Sequence, residues 1–149
     1  MVFVADIVVV STKLRRIEEY YNGLQAIEET LTKERFLTTK TEQWTVECLF
    51  DRITQTCTEL AQHIVRSDFD WTEDCSMSAA ELLHQHGVLN RETMEALKMA
   101  ANSTSVLADG QQYADYERLY STLRYGLDVY DEFSQQIALW VRDSQLVDD

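Results

Sequence analysis

An all-α fold is what this chain of 149 residues predicts, and three observations carry that expectation. There is no proline, so nothing removes a backbone donor from a helical ladder. There are only four glycines, too few for the closely spaced turns of a sandwich or barrel. The apolar residues recur at three- and four-residue intervals over long stretches. The expected architecture is an up-down bundle of four main helices plus one short extra helix, residues 11–142. An N-terminal apolar arm (1–10) precedes it and an acidic tail (143–149) follows.

Each element has its own reason. The run Val2–Val10 is rich in β-branched residues and reads as an extended arm, with no second strand-like segment to pair with. Ser11 and Thr12 are candidate N-caps for a first helix over about 12–31, with Leu14, Ile17, Tyr21, Leu24 and Ile27 inward. Residues 36–41 read as a polar linker. The second helix carries the clearest stripe: Val46, Leu49, Phe50, Ile53, Cys57, Leu60, Ala61 and Ile64 share a face, and it should end near Val65–Arg66. Residues 67–76 read as a loop carrying Phe69 and Trp71. A short helix then runs over about 78–86, with Gly87 as a left-handed C-cap. Asn90 caps the fourth helix, with Met94, Leu97 and Ala101 inward, and Gly110 breaks the pattern. One last helix is expected over about 116–141, burying Leu119, Tyr120, Leu123, Leu127, Tyr130, Phe133, Ile137 and Trp140. The tail beyond Asp143 should fray.

Charge narrows the function. A net charge of -13 and a pI near 4.5 leave no bulk attraction for nucleic acid or anionic membranes. Acidic residues are twice as numerous as basic ones, and arginines outnumber lysines, a halophile-like composition. In roughly 1 M salt the Debye length falls to about 3 Å, and long-range repulsion would then count for little. Three cysteines, Cys48, Cys57 and Cys75, form no CxxC pair. That fits a reducing, cytoplasmic compartment, with Cys48 and Cys57 as helix-packing residues. The opening apolar run is too short to span a bilayer and lacks the features of a signal peptide.

Few side chains suggest chemistry alone. His84 and His86 are two apart, an awkward spacing for joint metal binding from a helix, so no metal site is expected. His63 lies beside the apolar stripe and reads as a half-buried structural histidine. No phosphate loop, dinucleotide fingerprint or nucleophile elbow is present, and no cofactor is expected.

Four segments, in order, resemble one family. Glu59-Leu60-Ala61-Gln62-His63-Ile64 is similar to the Asp-Ile-Ala-Asn-His-Ile signature of HepT-like proteins of the HEPN superfamily. Residues 78–87 followed by Val88-Leu89 resemble that family's short helix ending in Gly-Val-Leu. Residues 91–99 resemble the stretch leading into its active site, and Glu117-Arg118-Leu119-Tyr120 the Glu-Arg-Val-Tyr opening its last helix. The resemblance covers about residues 14–140. It implies a HEPN-like bundle, a two-fold homodimer and an MNT-type nucleotidyltransferase antitoxin as partner. It also implies metal-independent cleavage of RNA, through an Arg-Asn-x-x-x-His motif at the end of the fourth helix. There arginine forks onto a phosphate and histidine moves the 2′-hydroxyl proton.

That motif is not in this chain. The register set by Val106-Leu107 puts Thr104 at the arginine, Ser105 at the asparagine and Asp109 at the histidine. A one-residue slip gives Ser103, Thr104 and Ala108. The family's modified tyrosine falls on Gln111, with Tyr113 nearby and out of register. Thr104 and Ser105 bring no positive charge, and Asp109, with an ordinary pKa of about 3.9, is poorly matched to proton transfer at neutral pH. Two readings therefore diverge. In the first, the chain is a toxin–antitoxin component without ribonuclease activity that acts as a binding or regulatory protein. In the second, RNA is a substrate at a rebuilt basic site drawing on Lys98, Arg118 or His63, with Tyr113 a contact. An unrelated helical adaptor is the third.

Overall fold

The computed structural model describes residues 5–72, 74–108 and 116–147, with the backbone alone for 101–108 and 145–147. Within them lie seven helices and no strand: α1 (Ile7–Thr30), α2 (Lys33–Thr38), α3 (Lys40–Asp68), α4 (Ala79–Gln85), α5 (Arg91–Ala108), α6 (Tyr116–Tyr125) and α7 (Asp128–Val147). The all-α expectation holds.

α3 is the axis of the bundle. Its expected stripe is buried at Val46, Phe50, Ile53, Cys57, Leu60, Ala61 and Ile64, with Leu49 half-buried. α1 packs along one side of it, α4 and α5 along another, and α7 closes the core between α1 and α5. Ile17 and Leu24 from α1 and Tyr130, Phe133 and Ile137 from α7 meet it in one continuous core.

Several boundaries differ from expectation; α3, for one, runs to Asp68, two residues into the expected loop. The chain is helical from Ile7, so residues 7–10 are not an extended arm. The Asp6 carboxylate accepts from the Val8 and Val9 amides and caps α1 in place of Ser11 or Thr12. The expected linker contains α2, which is capped by Thr32 and buries Phe36. The expected last helix is two helices. Gly126 interrupts it, its N–H reaching the Thr122 carbonyl at 2.7 Å, and a side chain there would come within 3.0 Å of that oxygen. Finally, α7 runs through to Val147 instead of fraying after Asp143. Gly87 sits at φ 78°, the left-handed C-cap that was expected.

Candidate functional site

The site is approached along α5, because its C-terminal turns carry Thr104 and Ser105. The start of α5 is firmly built. The Asn90 side chain accepts from the Thr93 amide at 2.8 Å. Gln136 on α7 accepts from the Asn90 amide at 2.8 Å and donates to the Thr93 hydroxyl at 2.8 Å. One glutamine thus ties α5 to α7 through two polar groups, and only its helical phase on α7 could have marked it in the sequence. Met94 and Leu97 point into the core as expected. Beyond residue 100 the helix is described as backbone to Ala108, so the side chains of Ala101, Thr104 and Ser105 lie outside the described residues, as do Asp109, Gly110, Gln111 and Tyr113 altogether.

The three candidate helpers go to three different places. Lys98 turns away from α6 toward α4, where its ammonium meets the Glu81 carboxylate at 2.7 Å. That contact holds the Glu81 carboxyl below its ordinary range. His63 accepts a hydrogen bond at Nε2 from the Asp6 amide at 3.1 Å, fastening the entry of α1 to α3. The imidazole is half-buried, and its observed partner is a backbone amide, as the structural reading expected. Tyr116, at the start of α6, lies near Glu47: burial and that neighbouring carboxylate push its hydroxyl up from the ordinary range. Glu47 and His63 are sixteen residues apart on α3, about 24 Å along its axis. His63 is therefore at the far end of the bundle from the opening of α6. Arg118 alone lines the groove that α6 forms with α5 and α7.

That groove has a volume of about 580 Å³. Its floor is apolar, formed by Phe50, Ala96, Leu119 and Val129, and its charged lining is Glu92, Asp128 and Glu132 with Arg118. Three carboxylates against one guanidinium make a poor seat for a phosphate.

The remaining candidates resolve locally. His84 Nδ1 is hydrogen-bonded to the Leu89 carbonyl at 3.0 Å, and His86 stacks on Phe69 with ring centres 4.0 Å apart. Among the described residues no group of three or more His, Cys, Asp or Glu could hold a metal. Cys57 is buried as expected, and burial pushes its thiol up from the ordinary range. Cys48 is exposed, which corrects its assignment as a packing residue, because it lies off the buried stripe. No helix among the described residues is long and apolar enough to cross a membrane.

A family model for HepT-like ribonuclease (Ribonuclease HepT-like) matches residues 12–137. The chain belongs to the HepT-like family. No curated protein matches it by sequence. Among solved structures this HepT-like chain is similar to a tri-AMPylated HEPN toxin of Shewanella oneidensis in complex with MNT antitoxin. That pair shares 18% identity at a TM-score of 0.79, covering 88% of this chain and 97% of the toxin. It is similar to a toxin–antitoxin crystallised with AMP-PNP, at 18% identity, a TM-score of 0.76, and coverage of 87% and 97%. It is also similar to YutE of Bacillus subtilis, a cytosolic protein of unknown function, at 13% identity, a TM-score of 0.72, and coverage of 96% and 94%. At these identities the likeness establishes the shared fold.

Proposed function

We propose that this HepT-like chain is the HEPN component of a toxin–antitoxin pair, that it has lost metal-independent ribonuclease activity, and that it acts as a dimeric binding and regulatory protein for an MNT-type nucleotidyltransferase. The observation that carries this reading is the stretch from Lys98 to Gly110. It contains no arginine and no histidine, and its one cation, Lys98, is held by Glu81. A phosphate entering there meets no fork of donors, and the 2′-hydroxyl meets no group that titrates near neutrality. Removing a preorganised charge donor typically costs on the order of 3 kcal/mol of barrier, and removing the acid–base group about another hundredfold or more.

Partner binding is supported by family membership and by the fold shared with a HEPN toxin in complex with MNT antitoxin. A rebuilt basic site has no comparable support, because Lys98 and His63 face other neighbours and the α5–α6–α7 groove is lined mainly by acids.

The test is incubation of the purified chain with RNA in a chelator, at low and at high salt. The reading expects no product above that of a protein-free control at either salt. Cleavage by the native chain that disappears in Asp109→Ala overturns it.

A further inference from the structure

We infer that the groove between α5, α6 and α7 is a docking site for a basic amphipathic helix of another protein. The inference rests on the partner-binding role above and says where the partner lies and what it presents.

The groove combines two features. Its edges hold two large apolar side chains in the open, Met99 (64% exposed) on α5 and Tyr125 (80%) on α6, beside an apolar floor. Contiguous exposed apolar surface edged by polar groups marks interaction sites. Along the α5–α7 side stand Glu92, Asp128 and Glu132, all exposed, and among the described residues none of them has an ion pair. Other carboxylates do find cations: Glu28 pairs with Arg124, Glu42 with Arg35, Glu59 with Lys13 and Glu81 with Lys98. Arg118 is the one cation in the described lining of the groove, against these three carboxylates.

Charge selects the occupant. Residues 109–115 carry two aspartates and no cation, a poor match to an acidic rim, and a second copy seated here about a two-fold axis would set Glu92, Asp128 and Glu132 against their own counterparts. A basic segment matches. The walls are helices, so the recognition mode is a helix laid in a groove, with apolar anchors at i, i+3 or i+4, and i+7. From Glu92 to Met99 the α5 wall spans about 10 Å, two helical turns. The fitting segment therefore has leucine- or methionine-sized anchors over two turns, flanked by lysine or arginine. Met99, unbranched and adaptable, suits such a surface.

The probe is a synthetic 18-residue helical peptide with leucines at that spacing and arginines beside them. Two controls accompany it: a peptide of the same composition with the leucine spacing scrambled, and one with every arginine replaced by glutamate. Binding is read by fluorescence anisotropy in 0.15 M salt. The patterned arginine peptide is expected to bind at least tenfold more tightly than the scrambled one. Glu92→Lys with Glu132→Lys should lose at least tenfold for it and gain binding to the glutamate peptide, a gain that a misfolded chain could not give. Tyr125→Glu, at a mostly exposed position, should lose at least tenfold by itself. Equal binding of patterned and scrambled peptides overturns the proposal, as does charge reversal without effect. So does self-association of the chain that Ala96→Trp abolishes, which would assign the groove to a second copy. An MNT-type nucleotidyltransferase that binds the charge-reversed chain undiminished refutes this site alone, whereas one that fails to bind the native chain refutes the partner reading itself.

Discussion

α3 and the α5–α6–α7 groove are both rich in apolar side chains, and they use them in opposite ways. Along α3 every residue of the expected stripe but Leu49 is buried, and two buried threonine hydroxyls there have partners. The Thr54 hydroxyl meets the Tyr130 hydroxyl at 2.9 Å, and the Thr56 hydroxyl donates to the Arg52 carbonyl at 2.7 Å. In the groove, Met99 and Tyr125 stand in water, and among the described lining three carboxylates face one guanidinium, that of Arg118. A core whose apolar faces cover one another needs nothing further, whereas an open apolar groove with a mainly acidic lining is half of an interface. Stability and recognition therefore reside in separate regions of the same small bundle.

The comparison can be broken at either region. The largest effect is expected in the α3 core. Ile53→Ala removes a side chain with no exposure and should cost about 2–5 kcal/mol in chemical denaturation. A pH effect follows from the same burial. Burial pushes both the Cys57 thiol and the Tyr130 hydroxyl up from their ordinary values. Their contribution is fully present below the unfolded values of about 8.5 and 10, where both states are protonated. Above them the unfolded chain ionises first, so stability falls as pH rises, by up to about 1.4 kcal/mol per unit for each group. Cys57→Ala and Tyr130→Phe should flatten that alkaline limb in denaturant titrations at successive pH values. The smallest effect is expected at the groove: Tyr125→Ser should change stability by no more than about 0.5 kcal/mol, read in the same titrations. A loss there as large as in α3 would mean that the groove belongs to the core.

The core was legible in the sequence because the burying stripe of α3 is long and regular. Helix starts were harder. The β-branched run at Val8–Val10 argued for an extended segment, yet a carboxylate just ahead of it supplied a cap, and packing of Val10 and Ile17 on the core overrode propensity. The break between α6 and α7 was announced by Gly126, the lone glycine in the stretch, but the apolar spacing runs on across it and masked it. At the site, the altered motif was legible as missing residue types, Thr104, Ser105 and Asp109 in place of arginine, asparagine and histidine. The destinations of Lys98 and His63 were not, since they depend on contacts with α4 and with the entry to α1. The groove itself was invisible because it needs three helices brought together, one of them created by the unforeseen break.

The central claim is that the chemistry was lost in the stretch from Lys98 to Gly110 while the surrounding bundle was kept. It is tested most directly by the rate of RNA cleavage, in a chelator, of the native chain beside the triple variant Thr104→Arg, Ser105→Asn, Asp109→His. The account predicts no detectable cleavage by the native chain and a gain of about a hundredfold or more over background in the variant. Cleavage by the native chain, or a variant no faster than background, would contradict it.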